Sequence, residues 1–213
     1  MASPDDDDNV IVNACESLPY NVAHGVKLRD KSWIKGQPYS VFDMLAQDDL
    51  AEQFAGGTVY QAFLKALSYH RWHSPVSGKI VKALVKDGTY YSEPLFEGLG
   101  NPQDHAIDMA GQTTGQGYIA AVATRAIAFI EADNPAIGLI ALSGVGMAEV
   151  STCDITVKEN QHVRKGDQIG MSHFGGSTHC ILFRKGVDVS GFLEPGKRKQ
   201  NVPVRSKLAV VKS

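Results

Sequence analysis

The sequence has no excess of charge of either sign and no long apolar run. Its 213 residues include 21 Lys and Arg against 23 Asp and Glu, which gives a formal net charge of −2 at pH 7. This balance creates no positive field that would attract nucleic acid or an anionic membrane. The apolar runs all fall short of the roughly 20 residues that a membrane-spanning helix needs. We therefore expect neither a nucleic-acid partner nor a membrane partner.

Cysteine is also scarce. The three cysteines, Cys15, Cys153 and Cys180, are an odd number and lack the spacing of a metal site. Residues 1–9 are polar and acidic and have no apolar core of the kind found in a signal peptide. Both features are typical of a reducing, intracellular compartment, so we expect a cytoplasmic protein. Each cysteine is predicted to be a small buried hydrophobe and not a reactive thiol.

Glycine, by contrast, is abundant. The chain has 21 glycines, and its 43% of hydrophobic residues fall in short runs, a pattern typical of turn-rich β proteins. We predict an α+β fold, predominantly β, with antiparallel sheets and a few short helices. A flexible acidic N-terminus at residues 1–9 would precede a single compact domain at 10–213. Within it, residues 78–91 are predicted to form a hairpin, 92–117 a long surface loop and 118–132 a strand.

The first stretch with candidate catalytic side chains runs from His173 to His179. Ser177 follows Gly175 and Gly176, and two glycines allow backbone conformations that are closed to other residues. A serine hydroxyl becomes a nucleophile only when a base removes its proton, and a carboxylate commonly orients a histidine base. The candidate bases are His70, His73, His162, His173 and His179. The residue types alone do not choose among them.

Simpler interpretations remain open at this point. The two glycines are equally typical of an ordinary turn between strands. The spacing of His70 and His73 would suit half of a metal site, completed by His173 or His179. No Cys or carboxylate stands at a fixed metal-type spacing from them, so we predict no metal. Judged on residue types alone, the chain is a β-rich domain with a candidate nucleophile.

Two signatures in the sequence resemble those of a known family. The run from Tyr69 to Gly78 resembles the Tyr-His-Arg-x-His-x-Pro-x-x-Gly signature of the phosphatidylserine decarboxylase family, and Phe174–Thr178 resembles that family's self-processing motif. The segments Trp33–Gly36 and Val163–Gly170 also match. The resemblance extends from about Val10 to about Phe183.

The resemblance implies an autocatalytic cleavage that turns a zymogen into a carboxy-lyase. Ser177 would attack the carbonyl of Gly176, and the Gly176–Ser177 peptide bond would give way to an ester. β-Elimination would release the chain that ends at Gly176 and leave dehydroalanine, and hydrolysis with loss of ammonia would then leave a covalent pyruvoyl group at position 177. The products would be chains 1–176 and 177–213. The pyruvoyl group would form a Schiff base with an amine substrate and accept electrons as carbon dioxide leaves, as pyridoxal phosphate does.

The family pattern also implies roles for three other side chains. His73 matches the base of the processing triad, and His70 matches the histidine expected beside the pyruvoyl group during decarboxylation. Glu16 stands where the family has an aspartate, and Ser-His-Glu triads are known. The chain begins close to Glu16, whereas family members carry a substantial region before this point. We therefore expect a short form or a fragment.

The substrate is inferred from the same resemblance. Tyr60–Leu64 and Ala148–Cys153 resemble the soluble fungal branch that includes the L-tryptophan decarboxylase of the psilocybin pathway. The expected reaction is the decarboxylation of a small-molecule amino acid, expected to be aromatic, with tryptophan giving tryptamine. One alternative is a phosphatidylserine decarboxylase that makes phosphatidylethanolamine. The other is an inactive or non-catalytic β-rich binding module, because Val163–Gly170 also resembles lipoyl- and biotinyl-type carriers.

Overall fold

The structure is a computed structural model that describes residues 6–29, 40–65, 67–90, 115–147, 151–173, 177–197 and 200–212. Its strands, in chain order, are β1 (Val10–Val12), β2 (Leu18–His24), β3 (Thr58–Leu64), β4 (Arg71–His73), β5 (Gly78–Lys86), β6 (Arg125–Ala132), β7 (Leu139–Val145), β8 (Thr152–Ile155), β9 (His162–Val163), β10 (Gln168–His173), β11 (Ser177–Phe183), β12 (Val189–Ser190) and β13 (Lys207–Val211). The helical segments are α1 (Val41–Met44), a 3-10 helix at Asp49–Phe54 and α2 (Gln116–Val122). The predominantly β prediction is confirmed.

A seven-stranded antiparallel sheet forms the centre of the fold, in the order β2-β3-β11-β7-β6-β5-β9. Strand β11 is hydrogen-bonded on both sides, to β3 and to β7. Its side chains alternate between two buried clusters, as the period of two in a strand requires. Ile181 and Phe183 belong to one cluster, and Cys180 and Leu182 belong to the other. The sheet is therefore covered on both faces.

Different elements cover the two faces. The cluster that contains Cys180 also holds apolar residues of α1, α2 and the 3-10 helix. The cluster that contains Ile181 holds residues of two smaller antiparallel sheets, ordered β1-β13-β12 and β4-β10-β8. These two sheets adjoin where the Val12 amide donates to the Pro75 carbonyl at 3.0 Å. The candidate site lies on the side of the small sheets.

Two local predictions were wrong. Residues 118–122 belong to α2 and not to a strand, because this alanine-rich run packs its apolar positions against the helical side of the sheet. The predicted 78–91 hairpin is not formed by its described residues, 78–90, since β5 pairs with β6 and β9 instead. The eight residues of β6 offer β5 a longer and more buried partner than Thr89 and Tyr90, which are both exposed. Most of the predicted 92–117 loop lies outside the described residues, as does Trp33–Gly36.

The cysteine prediction is confirmed for two positions. Cys15 and Cys180 are fully buried, and this burial raises the pKa of both thiols well above the ordinary value. Cys153 is half-buried, and burial raises its pKa to about 11. All three are therefore protonated, unreactive thiols at neutral pH.

The acidic N-terminus lies against the domain over the part that is described. The backbone carbonyls of Asp7 and Asp8 accept hydrogen bonds from the side chains of Lys165 at 2.6 Å and Asn134 at 3.1 Å. The division of the chain at residue 9 stays a prediction. In the described ranges, no helix combines the length and the apolar character needed to cross a membrane.

Candidate active site

The topology brings the two chemically active stretches to one junction between sheets. Strand β3 ends at Leu64 and β4 begins at Arg71, while β10 ends at His173 and β11 begins at Ser177. Ser177 pairs with Leu64, and Arg71 pairs with Met171. The chain therefore crosses from the seven-stranded sheet to the β4-β10-β8 sheet after β3, and it crosses back after β10 at a neighbouring position. The Ser172 amide also donates to the His70 carbonyl at 3.0 Å.

Ser177 is the first residue of the buried strand β11. The next two residues, Thr178 and His179, are 1% and 0% exposed. Phe174, Gly175 and Gly176 lie outside the described residues. Cleavage between Gly176 and Ser177 therefore stays a prediction, and the structure fixes only the strand in which the second chain would begin.

His73 is held as a neutral base. The side chain is 4% exposed, and its Nδ1 lies 2.8 Å from the Gly166 carbonyl oxygen. Because a carbonyl can only accept, Nδ1 carries the proton, and Nε2 is the basic nitrogen of the neutral ring. Burial lowers the pKa of His73 below its ordinary value, the bond to Gly166 partly opposes this, and the positive charge of Arg205 lowers it further. The ring is therefore neutral at pH 7.

The turn Arg164–Asp167 supplies the carbonyl that orients His73. Gly166 has a φ of +84°, a conformation that favours glycine. Its amide donates to the Ser74 carbonyl at 2.8 Å, and the Ser74 amide donates to the Asp167 carbonyl at 2.8 Å. Together with the His73 bond, these contacts fasten the turn to the histidine segment.

The same turn does not suit a carrier protein, which needs an exposed lysine for its modification. Lys165 is only 8% exposed, and its ammonium group donates to the Asp7 carbonyl. This observation disfavours the lipoyl- or biotinyl-type alternative. In this protein the Val163–Gly170 segment positions a histidine.

The hydroxyl of Tyr69 is hydrogen-bonded to the basic nitrogen of His73. Its hydroxyl lies 3.2 Å from Nε2 and donates to it, and the two ring centroids are 5.8 Å apart. The nitrogen expected to take the proton from Ser177 therefore already has a hydroxyl partner. The sequence comparison included Tyr69 in the histidine signature but gave it no role.

Glu16 forms no hydrogen bond or ion pair with His73. Its Oε1 accepts a hydrogen bond from Asn201 Nδ2 at 3.1 Å, and the same nitrogen donates to Ser68 Oγ at 2.8 Å. The backbone nevertheless brings the two segments together, since the His73 amide donates to the Ala14 carbonyl at 2.8 Å. The role of Glu16 as the triad carboxylate stays a prediction. In the structure, a backbone carbonyl orients the imidazole.

The segment that carries Glu16 is fastened to the C-terminal part of the chain. The amides of Ser17 and Val202 exchange backbone hydrogen bonds of 3.2 and 2.8 Å. The buried Asn13 side chain donates to the Val202 carbonyl at 3.0 Å. Asn201 and Val202 lie after the expected cleavage position, so the second chain would help to build the site. No sequence signal pointed to Asn201.

The other candidate histidines differ in their surroundings. His70 is half-buried directly before β4, and its role beside a pyruvoyl group stays a prediction. His173, at the end of β10, lies 3.7 Å from a carboxylate oxygen of Asp154, and its side chain is 36% exposed. His162 Nε2 lies 2.9 Å from a carboxylate oxygen of Asp133 at the exposed surface. Across the described residues, no three His, Cys, Asp or Glu side chains are grouped so that they could hold a metal ion.

Comparison with known proteins agrees with this geometry. The family model "Phosphatidylserine decarboxylase" matches residues 2–206, nearly the whole chain. The chain belongs to the phosphatidylserine decarboxylase family. This family consists of decarboxylases, and its pattern covers the histidine segment, the turn at Gly166 and the start of β11.

Several relatives indicate where in the phosphatidylserine decarboxylase family the chain lies. "Decarboxylase iboD" of Amanita muscaria is 48% identical over 184 residues, which are 84% of this chain and 52% of that protein. "L-tryptophan decarboxylase" of Psilocybe cyanescens is 46% identical over 180 residues, 84% of this chain and 41% of that protein. "Phosphatidylserine decarboxylase proenzyme 3" of Schizosaccharomyces pombe is 32% identical over 155 residues, 73% of this chain and 14% of that protein. The chain thus spans about half or less of the length of these relatives.

Proposed function

We propose that this protein is a self-processing, pyruvoyl-dependent decarboxylase of an aromatic amino acid, with L-tryptophan as substrate and tryptamine as product. The observation that carries the proposal is His73, a buried neutral base in a fixed tautomer at the junction where β11 begins. The identity of 44 to 48% to the fungal decarboxylases, against 32% to the yeast phosphatidylserine enzyme, favours an amino acid over a lipid. A cytoplasmic location stays a prediction.

The first proposed step is proton transfer from Ser177. The Nε2 atom of His73 accepts the hydroxyl proton while the hydroxyl oxygen attacks the Gly176 carbonyl carbon, and the Gly176–Ser177 C–N bond then breaks as its nitrogen takes up a proton. The Gly166 carbonyl keeps the ring in the tautomer that leaves Nε2 basic. The hydroxyl of Tyr69 must leave Nε2, or pass the proton on, before this transfer is complete. Glu16 is assigned to the same step, where its negative charge would favour the imidazolium that forms.

The surroundings of position 177 fit a covalent pyruvoyl group. The position begins a strand that is buried from Thr178 onward, and the two ring nitrogens of the neighbouring His179 have no hydrogen-bond partner in the described structure. Buried polar atoms without a protein partner are expected where a substrate is to be bound beside the reacting group. The pyruvoyl group supplies an electron-accepting carbonyl when carbon dioxide leaves. His70 is proposed to donate the proton that replaces the lost carboxylate.

Intact mass and carbon dioxide release together test the proposal. The purified protein should consist of chains 1–176 and 177–213, whereas the Ser177→Ala variant should stay whole. The cleaved protein should release carbon dioxide from tryptophan and not from phosphatidylserine vesicles. Release from the vesicles alone would assign the protein to the phosphatidylserine branch. A single uncut chain that is inactive on both would support the non-catalytic alternative.

A further inference from the structure

His179 is a buried histidine that self-cleavage does not use. It lies two residues after Ser177 in β11, opposite Ala62 on one side and Gly144 on the other. Positions two apart in a strand belong to the same face of a sheet and are about 6.6 to 6.8 Å apart. His179 is therefore the next residue along the strand on the face to which position 177 belongs.

The imidazole of His179 has unused hydrogen-bonding capacity. The residue is 0% exposed, and neither Nδ1 nor Nε2 has a hydrogen-bond partner within the described part of the chain. A neutral imidazole offers one donor and one acceptor, and leaving both unpaired in a core costs free energy. Native proteins rarely keep such groups without a functional partner. This residue therefore needs a partner that the described part of the chain does not provide.

Proton transfer is not the role that the environment of His179 supports. Burial lowers its pKa to about 3, so the ring stays neutral at any pH near 7 and is a poor general base there. No group of metal-binding side chains occurs in the described ranges, which leaves the ring without a metal partner there. What remains is a fixed neutral dipole that can donate or accept a hydrogen bond.

The surroundings of the ring select the kind of group it can meet. His179 contacts Tyr60 edge-on, with ring centroids 5.9 Å apart, and Tyr60 stacks on Phe192 at 5.3 Å. This aromatic surface favours an aromatic ring over an ion, because burying an unpaired charge costs far more than burying a ring. An aromatic ring with one N–H group would meet apolar surface and also pair with an imidazole nitrogen.

We infer that His179 determines substrate specificity by accepting, through a ring nitrogen, a hydrogen bond from an N–H group on the substrate's aromatic ring. The inference rests on the proposed function. It applies to the cleaved protein, in which residue 177 is no longer joined to residue 176. A substrate that reacts at position 177 extends its side chain over a few ångströms, which matches the spacing between positions 177 and 179.

A pair of amino acids of the same shape tests this role. Tryptophan carries the ring N–H, whereas 3-(benzothiophen-3-yl)alanine replaces it with sulfur. The cleaved wild-type protein should prefer tryptophan in kcat/KM by roughly 10-fold or more, since a buried acceptor left unpaired penalises the analogue. His179→Phe, which keeps an aromatic ring beside Tyr60, should reduce this ratio to about 1. His179→Gln, which keeps an acceptor, should retain most of the preference.

Two controls make the result decisive. Cys180→Ala changes the neighbouring residue on the opposite face of β11 and should keep the wild-type ratio. Intact mass must show cleavage in each variant that is compared. Independently of activity, the ¹⁵N signals of His179, assigned by their loss in His179→Phe, should move when the protein binds tryptamine. They should move much less with the benzothiophene amine.

The outcomes separate this inference from the proposed function. Equal kcat/KM for the two amino acids in the wild type would overturn the inference and leave the decarboxylase proposal standing. A preference that survives in cleaved His179→Phe would also overturn it. A cleaved, pyruvoyl-bearing wild type that releases carbon dioxide from neither amino acid would overturn both. If His179→Phe is not cleaved, the wild-type ratio and the ¹⁵N shifts decide alone.

Discussion

Two buried histidines of this protein, His73 and His179, are both neutral but have opposite hydrogen-bonding states. His73 is 4% exposed, and both of its ring nitrogens have partners, the Gly166 carbonyl and the Tyr69 hydroxyl. His179 is 0% exposed, and neither ring nitrogen has a partner in the described structure. Burial lowers the pKa of both rings. Burial alone therefore does not make a histidine a base, because the hydrogen-bond partners decide which nitrogen can take a proton.

Replacing His73 should have the largest effect. His73→Ala should slow the cleavage before Ser177 by roughly 100-fold or more, the usual loss when a general base is removed. His179→Phe should leave cleavage within a few-fold of wild type, because the neutral dipole takes no part in this step. The measurement is the fraction of cut chain over time, by intact mass. Equal slowing in both variants would contradict the assignment of His73 as the base for cleavage and of His179 as a residue that takes no part in it.

Acid should destabilise the protein through His179. Its folded-state pKa of about 3 lies below the unfolded value of 6.5, so between these values the unfolded chain binds a proton that the folded chain does not. The contribution of His179 to the free energy of unfolding is therefore fully present above pH 6.5. It is lost as the pH decreases towards 3, at up to about 1.4 kcal/mol per pH unit. Urea unfolding of wild type and of His179→Phe at several pH values measures the difference. Parallel pH dependence in the two proteins would show that His179 does not titrate this way.

Moving the Gly166 carbonyl should have an intermediate effect. Gly166→Ala forces an L side chain into a φ of +84°, which costs about 1 kcal/mol or more and displaces the carbonyl that His73 uses. Cleavage should slow roughly 10-fold, since His73 loses its orienting acceptor. Gly186→Ala is the matched control, because Gly186 has a φ of +92° and no atom within 4 Å of an added Cβ. Equal slowing of cleavage in Gly166→Ala and Gly186→Ala would show that backbone strain alone causes the loss.

Removing the Tyr69 hydroxyl should have the smallest effect. Tyr69→Phe keeps the ring beside His73 but leaves Nε2 without its present donor. We expect a change of only a few-fold in the cleavage rate, because the Ser177 hydroxyl must take the place of the tyrosine at this nitrogen. A time course at pH 7 measures it. A loss as large as that of His73→Ala would instead make Tyr69 an obligatory proton carrier.

The sequence predicted the β-rich class and the burial of Cys15 and Cys180. It could not predict the acceptor for His73, because a backbone carbonyl leaves no signal in residue type. It could not find Asn201 either, since a lone amide in an irregular tail has no diagnostic spacing. The run 118–122 was misassigned because a short apolar segment suits a helix or a strand equally well. Packing of its apolar residues against the sheet decides in favour of the helix.

Intact mass of the purified wild-type protein beside Ser177→Ala and His73→Ala tests the central claim most directly. We expect two wild-type chains split between Gly176 and Ser177, with the second chain carrying a pyruvoyl group at its start. These chains should separate only in denaturant, because β11 stays hydrogen-bonded to β3 and β7. Both variants should remain whole under the same conditions. An uncut wild-type chain, or a cut that persists in Ser177→Ala, would contradict self-cleavage by Ser177.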